Sequence, residues 1–261
     1  MSGIKLDNLS FRYNQNGSAD YVLENINAEI KEGEFVCFIG PSGCGKSTLI
    51  TLIEGLNLPT EGKVLIGDNA VTGPGSDRCV VFQHYSLFKW MTARKNVIFG
   101  IKQANKKISA KEADALALDY LTKVGLAENA DKYPHQLSGG MQQRVAIARA
   151  LAMNPDILLM DEPFGAIDTK NRMQLQDLLL QLCESEEKKR TVVFITHDVE
   201  EALYLADRVI YMEPKRIKED ITIDFGPKRV RSEVFASDKY HHLRNRLVTL
   251  FYENIDAEVV L

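Results

Sequence analysis

The chain has 261 residues, of which 45% are hydrophobic and 26% are charged, and its formal net charge at pH 7 is −4. This composition is typical of a globular protein and excludes a predominantly disordered chain. The acidic balance argues against a nucleic-acid-binding surface, which usually carries a basic excess. The apolar runs are far too short to cross a bilayer, so we expect any work at a membrane to go through a partner.

The first part of the chain predicts mostly strands. Residues 4–13 and 21–30 alternate apolar and polar side chains, as half-buried antiparallel strands do. Residues 34–40 are almost continuously apolar and lead through glycines into helical spacing at 46–56, which predicts a buried strand, a loop and a helix. Two shorter strands are predicted at 62–67 and 79–83.

From about residue 91 to 154 the pattern changes to helices, including one at 108–126 that begins with a capping-box spacing and one at 137–154. The elements that follow alternate again: a strand at 156–163, a helix at 169–185, strands at 190–198 and 207–212, the second of which is predicted to be the last strand, and a helical tail around 239–254. Buried strands alternating with helices predict an α/β fold with a mainly parallel sheet and helices on both faces.

The segment GPSGCGKST predicts a nucleotide site, because it matches G-x-x-x-x-G-K-[ST] between a predicted strand and a predicted helix. Glycines let successive N–H groups point inward around phosphate oxygens. Lys46 would supply a charge to the β and γ phosphates, and Ser47 a hydroxyl to Mg²⁺. Because Cys44 lies inside this loop, we expect ATP to shield its thiol from alkylation. The predicted ATP-binding residues are Gly40, Pro41, Ser42, Gly43, Cys44, Gly45, Lys46, Ser47 and Thr48.

Polar groups follow three further buried strands, and parallel strands would bring them to the same edge as the phosphate-binding loop. Asp161 suits a Mg²⁺ ligand, and Glu162 is placed to orient and polarise an attacking water. Gln83 is predicted to contact Mg²⁺ or that water, and His197 to hydrogen-bond the γ phosphate or Glu162. Tyr13 offers a ring on which adenine can stack, although an ordinary strand tyrosine fits the pattern nearly as well.

A second anion site is predicted at LSGGMQQR, residues 137–144. Ser138, Gly139 and Gly140 precede a helix whose first N–H groups are left without intrahelical partners at the positive end of the helix dipole. The chain already has a predicted phosphate-binding site at GPSGCGKST, so a second anion-binding site requires its own explanation.

The ordered set of Tyr13, GPSGCGKST, Gln83, LSGGMQQR, ILLMDEP, FGAID with Asp168, and His197 resembles the ATP-binding cassette (ABC) ATPases over residues 4 to 212. The resemblance implies a phosphate-loop NTPase core with a mainly parallel sheet, an N-terminal antiparallel β subdomain and an inserted helical subdomain. It also implies hydrolysis of ATP with Mg²⁺ by a head-to-tail homodimer, or by a pair with a similar ATPase. In such a dimer, Ser138, Gly139, Gly140 and Gln142 of one subunit close over the ATP of the other, and Asp168 lies in the dimer loop.

The same resemblance divides a single nucleotide-binding domain, 1–261, into an ATPase core at 1–88 and 156–225, a helical insert at 89–155 and a C-terminal helical tail at 226–261. In importer-type cassettes the insert drives a separate membrane permease. Phe88, Trp90 and Met91 then predict a permease docking patch, because three large apolar groups lie close together in an exposed loop. The alternative is that they pack inside the insert.

The stretch LFKW followed by NVIFGI is similar to the LLPW…NVxxGL pattern in ATPases of nitrate, taurine and alkanesulfonate importers, with Lys89 in place of the usual proline. This similarity implies a peripheral position on the cytoplasmic side of the inner membrane through integral-membrane permease subunits, a solute-binding protein as an indirect partner, and no nucleic acid. The alternatives are an exporter or lipoprotein-release ATPase, and an ABC ATPase that acts without a membrane.

Overall fold

The computed structural model describes residues 3–13, 20–82, 86–165, 167–184, 189–226 and 229–259. The described residues form two compact units, one drawn from 1–75 and 189–261 and the other from 76–188. The division into ATPase core, helical insert and tail that the sequence suggests stays a prediction.

The strands within the described ranges are β1 (Ile4–Phe11), β2 (Leu23–Ile30), β3 (Phe35–Ile39), β4 (Glu61–Ile66), β5 (Asn69–Ala70), β6 (Arg78–Val81), β7 (Ile157–Asp161), β8 (Thr191–Ile195), β9 (Arg208–Glu213) and β10 (Arg216–Thr222). The helices are α1 (Lys46–Glu54), α2 (Ala93–Ala104), α3 (Ala110–Lys123), α4 (Gly139–Ala152), α5 (Thr169–Glu184), α6 (Val199–Leu205), α7 (Arg231–Ala236) and α8 (Asp238–Val259). The fold is therefore α/β, as the alternation of strand and helix patterns predicts.

The first unit contains an antiparallel sheet in the order β2-β1-β4-β5. The alternation in β1 has its expected effect, because Ile4 and Leu6 are buried while Lys5 between them is exposed. This sheet confirms the antiparallel pairing predicted for residues 4–13 and 21–30.

The same unit contains a second group of strands in the order β10-β9-β3-β8, in which β3 is parallel to both β8 and β9. All five residues of β3 and all five of β8 are buried, as expected for strands covered on both faces. The carboxyl ends of β3 and β8 therefore lie at one edge and position the loops that follow them.

The prediction that residues 207–212 form the last strand is wrong, because β10 follows and pairs antiparallel with β9. The sequence of β10 is dominated by charged residues, which obscures a strand pattern. In the fold these charges pair with residues of β9 and α8: Arg208 Nη2 donates to Asp220 Oδ2 at 2.9 Å, and Lys218 Nζ lies 2.8 Å from Glu253 Oε2. An edge strand tolerates such residues and is protected by them from further pairing.

The second unit joins a parallel pair, β6 and β7, to the helices α2 to α5. Helices α2 and α4 approach closely at Gly100, where an added Cβ would lie 2.9 Å from Arg149 Cγ and 3.2 Å from Arg149 O. Helix α3 begins with the capping box expected at Ser109 and Glu112. Among the described residues, none of the helices combines the length and apolar character needed to span a bilayer.

Candidate nucleotide site

The phosphate-binding loop joins β3 to α1 and is closed around the ammonium group of Lys46. Lys46 Nζ donates to Gly40 O and Pro41 O at 2.8 Å each and lies 3.6 Å from Cys44 Sγ. Only 7% of Lys46 is exposed. The loop therefore fixes a positive charge at its centre, where phosphate oxygens can replace the two carbonyls as partners.

Two glycines give this loop its shape. A Cβ at Gly40 would lie 2.1 Å from Met212 O in β9, so only glycine allows this approach of the two backbones. Gly43 has a φ of 81° in the left-handed region, and a Cβ there would meet no atom within 4 Å. The loop is therefore packed against β9 at one end and open at Gly43.

Cys44 is fully buried, so the fold already covers its thiol, and the protection by ATP expected from the sequence stays a prediction. Its Sγ points towards Lys46 rather than towards solvent. Burial raises the pKa of the Cys44 thiol, and the neighbouring Lys46 charge opposes this rise only in part. The thiol is therefore protected by the fold itself.

Tyr13 lies beside the first turn of α1. Its hydroxyl is 3.2 Å from Thr48 Oγ1, and its ring packs edge-to-face on Phe11 with the centroids 4.8 Å apart. Because 41% of Tyr13 remains exposed, the ring is held in place while part of its surface stays accessible. Ser47, at the start of the same helix, is also exposed.

His197 begins the loop after β8, at the same edge as the phosphate-binding loop. Phe38 pairs with Ile195 across the two parallel strands, and Thr196 N donates to Phe38 O at 3.3 Å. His197 itself is exposed. The next residue, Asp198, caps α6 by accepting hydrogen bonds from the first N–H groups of that helix at 2.9 and 3.2 Å. The first unit thus brings His197 and the phosphate-binding loop to one edge.

Asp161 and Glu162 stand at the end of β7 in the second unit, and both are half-exposed. Val81 of β6 pairs with Met160, so the end of β6 lies beside Asp161. Gln83 follows β6 but lies outside the described residues. Glu162 has a φ of 43°, a left-handed conformation that is uncommon for residues other than glycine. Its carbonyl accepts a hydrogen bond from Gly165 N at 3.2 Å, which closes a turn around this carboxylate.

The signature turn, residues 137–143, ends in the first turn of α4. Ser138 caps the helix, with its Oγ accepting from Met141 N at 3.3 Å, and Gln142 Nε2 donates to Leu137 O at 3.1 Å. Ser138 is exposed, and Gly139 and Gly140 are half-exposed. The free N–H groups of a helix start are therefore presented at an accessible surface.

Asp168 caps α5 close to the signature turn. Its Oδ2 accepts a hydrogen bond from Asn171 Nδ2 at 2.6 Å, and its Oδ1 one from Asn171 N at 3.2 Å. The bond from the Asn171 side chain is the main cause that lowers the pKa of Asp168, so this exposed carboxylate stays charged. A Cβ at Gly140 would lie 3.7 Å from Asn171 Cβ, so the two turns border each other.

Known proteins are similar to this chain. A family model described as "ABC transporter" matches residues 23–165. An uncharacterized ABC transporter ATP-binding protein of Methanocaldococcus jannaschii is 50% identical over 88% of this chain and 86% of its own length. The bicarbonate transport ATP-binding protein CmpD of Synechocystis sp. is 44% identical over 95% of this chain and 89% of its own.

The chain belongs to the ABC transporter family. A dimeric ATP-binding cassette solved in a post-hydrolysis state with ADP and Pi superposes with a TM-score of 0.76 and 38% identity, covering 85% of this chain and 100% of that one. The chain is accordingly an ABC ATPase that binds and hydrolyses ATP.

The proposed docking residues of this ABC ATPase lie in the loop before α2. Trp90 is 72% exposed, whereas Phe88 and Met91 are half-buried. The Phe88 ring packs between Trp90, at a centroid distance of 5.3 Å, and Phe99 of α2, at 4.7 Å. One large ring is therefore presented to solvent from a partly buried aromatic base.

Sequence reasoning missed two residues that hold this loop. Asn96 is fully buried, accepts a hydrogen bond from Phe88 N at 2.9 Å, and donates to Phe88 O and Met91 O at 3.2 and 3.1 Å. Arg149 of α4 donates to Ser86 O at 2.8 Å and lies 6.0 Å from the Phe88 ring centroid. The sequence could have indicated these two residues, because an asparagine and an arginine among apolar helix residues need hydrogen-bond partners when they are buried.

Proposed function

We propose that this ABC ATPase is the energy-coupling subunit of an importer and works as a head-to-tail dimer around two ATP molecules. The observation that carries the proposal is the exposed signature turn, a capped helix start whose N–H groups are available to an anion. A two-fold axis would bring this turn of one subunit to the phosphate-binding loop of the other. ATP would then close the interface, and its hydrolysis would open it.

In the proposed site, the phosphate-binding loop holds the triphosphate through its N–H groups and Lys46, and adenine stacks on Tyr13. The Ser47 hydroxyl and the Asp161 carboxylate are oxygen donors of the kind Mg²⁺ prefers, so they fit the roles predicted for them. Gln83 is proposed as a further ligand. The metal would neutralise phosphate charge when bound.

We assign hydrolysis to Glu162 and His197. Glu162 orients a water molecule towards the γ phosphorus and accepts its proton, while the water oxygen forms a bond to phosphorus and the bond to the β-phosphate oxygen breaks. His197 donates a hydrogen bond to the γ phosphate, or to Glu162. The strained backbone of Glu162 supports this role, because strained conformations concentrate at functional sites. Asp168 would contact the partner near the same interface.

The importer assignment is supported by the relatives that are named bicarbonate transport ATP-binding proteins. We propose that Phe88, Trp90 and Met91 dock on integral-membrane permease subunits at the cytoplasmic face of the membrane, with a solute-binding protein as an indirect partner. A small anionic solute fits both those relatives and the resemblance to nitrate, taurine and alkanesulfonate importers. Recognition of the solute would fall to the permease and the binding protein.

A complementation experiment tests the shared site. Lys46→Ala removes the charge of one protomer's own loop, and Gly140→Asp places a carboxylate at its signature turn, where an added Cβ would come no closer than 3.7 Å to a neighbouring atom. Each variant alone should lose ATP hydrolysis. In a mixed dimer, one site would combine an intact Lys46 with an intact signature turn. Mixing the two inactive proteins should therefore restore hydrolysis to about a quarter of the wild-type rate.

The controls are each variant mixed with itself and the double variant mixed with wild type, all at the same total concentration. Dimer formation in the mixture is followed with two different fluorescent labels. A mixture that forms mixed dimers yet regains no hydrolysis contradicts the shared site. If either variant alone keeps the wild-type rate, the residue it alters has been assigned the wrong role.

A further inference from the structure

The tail of the chain contacts α6 at its C-terminal end. Arg229 Nη1 donates to Tyr204 O at 2.9 Å, and Arg229 Nη2 donates to Asp207 Oδ1 at 2.7 Å. The Arg229 side chain is only 7% exposed, so these bonds are largely shielded from water. Arg231 lies over the Tyr204 ring, 3.9 Å from its centroid. The last turn of α6 is therefore fixed by two arginines of the tail.

The tail also contacts the N-terminal end of α6. Tyr240 of α8 is 3% exposed, and burial is the main cause that raises its pKa to about 12, followed by the nearby charge of Glu200. Arg244 Nε lies 3.5 Å from Glu200 Oε1. The Arg244 contact reaches the first turn of α6, which follows the cap Asp198 and so lies two residues from His197.

One aromatic row joins these two groups of contacts. The Phe235 ring of α7 lies 5.9 Å from the Tyr204 ring and 4.7 Å from the Tyr240 ring, measured between centroids. The row runs from the end of α6 through α7 to the start of α8. The tail therefore holds α6 along its whole length rather than at a single point.

Helix α6 depends on such contacts because it has only seven residues. An isolated helix of this length is unstable in water, so packing must determine where it lies. His197 precedes its cap, Asp198, and Thr196 Oγ1 accepts a hydrogen bond from Asp198 N at 3.0 Å. A shift of α6 would consequently displace the His197 backbone.

We propose that Arg229, Phe235 and Tyr240 are positioning residues for ATP hydrolysis, which act by holding α6 and thereby the His197 side chain at the edge of the phosphate-binding loop. The inference rests on the role proposed for His197. It assigns a task to the tail, which lies beyond the motifs of the nucleotide site. Releasing the tail should slow hydrolysis and leave ATP binding intact, because neither Lys46 nor Tyr13 is part of these contacts.

The test compares Arg229→Ala and Tyr240→Ala with the wild-type ATPase. We expect kcat to fall about tenfold while KM for ATP stays within about twofold, as for a misplaced catalytic group. Arg229→Lys, which keeps the charge, should recover part of kcat. Lys218→Ala is the matched control, because it breaks the 2.8 Å ion pair with Glu253 of the same α8 and leaves α6 untouched.

Loss of stability alone must be separated from loss of positioning. Val64→Ala, which removes buried volume from β4, provides a destabilised reference in the antiparallel sheet, which α6 and the tail contacts do not belong to. The His197 ring signal in protein labelled with ¹⁵N-histidine should shift in Arg229→Ala and stay in place in Val64→Ala. If Arg229→Ala does not fold, Arg231→Ala removes the stack on Tyr204 and the longer contact with the Phe235 ring, 5.8 Å from its centroid, and should lower kcat about threefold.

The outcomes distinguish the two proposals. If His197→Ala keeps the wild-type rate, the role of His197 in the proposed function is wrong. If His197→Ala is inactive while Arg229→Ala and Tyr240→Ala keep the wild-type kcat and His197 signal, only the tail proposal is overturned. It is also overturned if Val64→Ala lowers kcat as much as the tail variants do at equal loss of stability.

Discussion

The phosphate-binding loop and the signature turn both present backbone N–H groups at the start of a helix, yet they are built differently. The loop is packed against the rest of its unit, with Gly40 against Met212 O, and with Lys46 bonded to two loop carbonyls. The signature turn is capped only by its own Ser138 and remains accessible. The loop is thus anchored in the packing of its unit and open at Gly43, whereas the signature turn is a helix end at the surface.

Because of this difference, substitutions at the two sites should affect different properties, stability at one and hydrolysis at the other. Groups in the loop satisfy one another, so a change there disturbs the packing of β3, β9 and α1. In the signature turn the Ser138 cap accepts from Met141 N, and the other exposed N–H groups of the helix start can serve another molecule. We therefore expect substitutions in the loop to lower the free energy of unfolding, and those in the turn to lower hydrolysis with little cost to stability.

The largest expected effect is the difference in the free energy of unfolding between two glycine substitutions, Gly40→Ala and Gly140→Ala. Gly40→Ala puts a Cβ 2.1 Å from the Met212 carbonyl, and relieving this overlap between backbones should cost about 3 kcal/mol of the free energy of unfolding. Gly140→Ala puts a Cβ 3.7 Å from the nearest side-chain atom, and alanine favours a helix. Its free energy of unfolding should stay within about 0.5 kcal/mol of wild type. Urea denaturation measures both.

Hydrolysis assays complete this comparison. The Gly140→Ala protein should be folded but slow, because in the proposed dimer a methyl group at the signature turn would obstruct the approach of the partner's phosphate. If Gly140→Ala destabilises the chain as much as Gly40→Ala, the signature turn is part of the core packing and the contrast between the two sites disappears.

An intermediate loss in the free energy of unfolding is expected for Ser138→Ala. Removing the side-chain oxygen that accepts from Met141 N should cost about 1 kcal/mol, as for other helix N-caps. Ser138→Thr keeps the oxygen and serves as the control, so its free energy of unfolding should lie near that of wild type. Equal stability of the alanine and threonine variants would show that the cap does not hold the turn.

The elements that could be predicted from sequence are those whose burial follows a simple period. Strands β1, β3, β7 and β8 and helices α3 and α4 have clear apolar patterns, because one face or both faces are buried. Strand β10 could not be predicted, because its charged residues are satisfied by ion pairs with β9 and α8 and not by burial. Pairing of that kind depends on residues distant in sequence.

The candidate site shows the same limit. Motifs predict roles for Lys46, Glu162 and Ser138, since the spacing of each is local. The direction of the Cys44 thiol could not be read from the motif, because it depends on how Lys46 folds back onto the loop. The aromatic row through Phe235 was equally hidden, since it joins side chains from three helices. Spacing identifies the groups, and packing decides which way they point.

The smallest perturbation is chemical labelling of thiols, which leaves the fold in place. It tests directly whether the phosphate-binding loop is less accessible than the signature turn. A buried thiol with a raised pKa has little thiolate and reacts only when its surroundings open. Without ATP, Cys44 should therefore react with an alkylating reagent about as slowly as the buried Cys37, and more slowly than the half-buried Cys79. A thiol placed at the signature turn by Ser138→Cys should react at least about 100-fold faster than Cys44. Peptide mass mapping follows every site in one sample, so each thiol has an internal reference. Rapid labelling of Cys44 in the folded protein would mean that the loop opens readily, and that the enclosure of Lys46 does not distinguish the two anion sites.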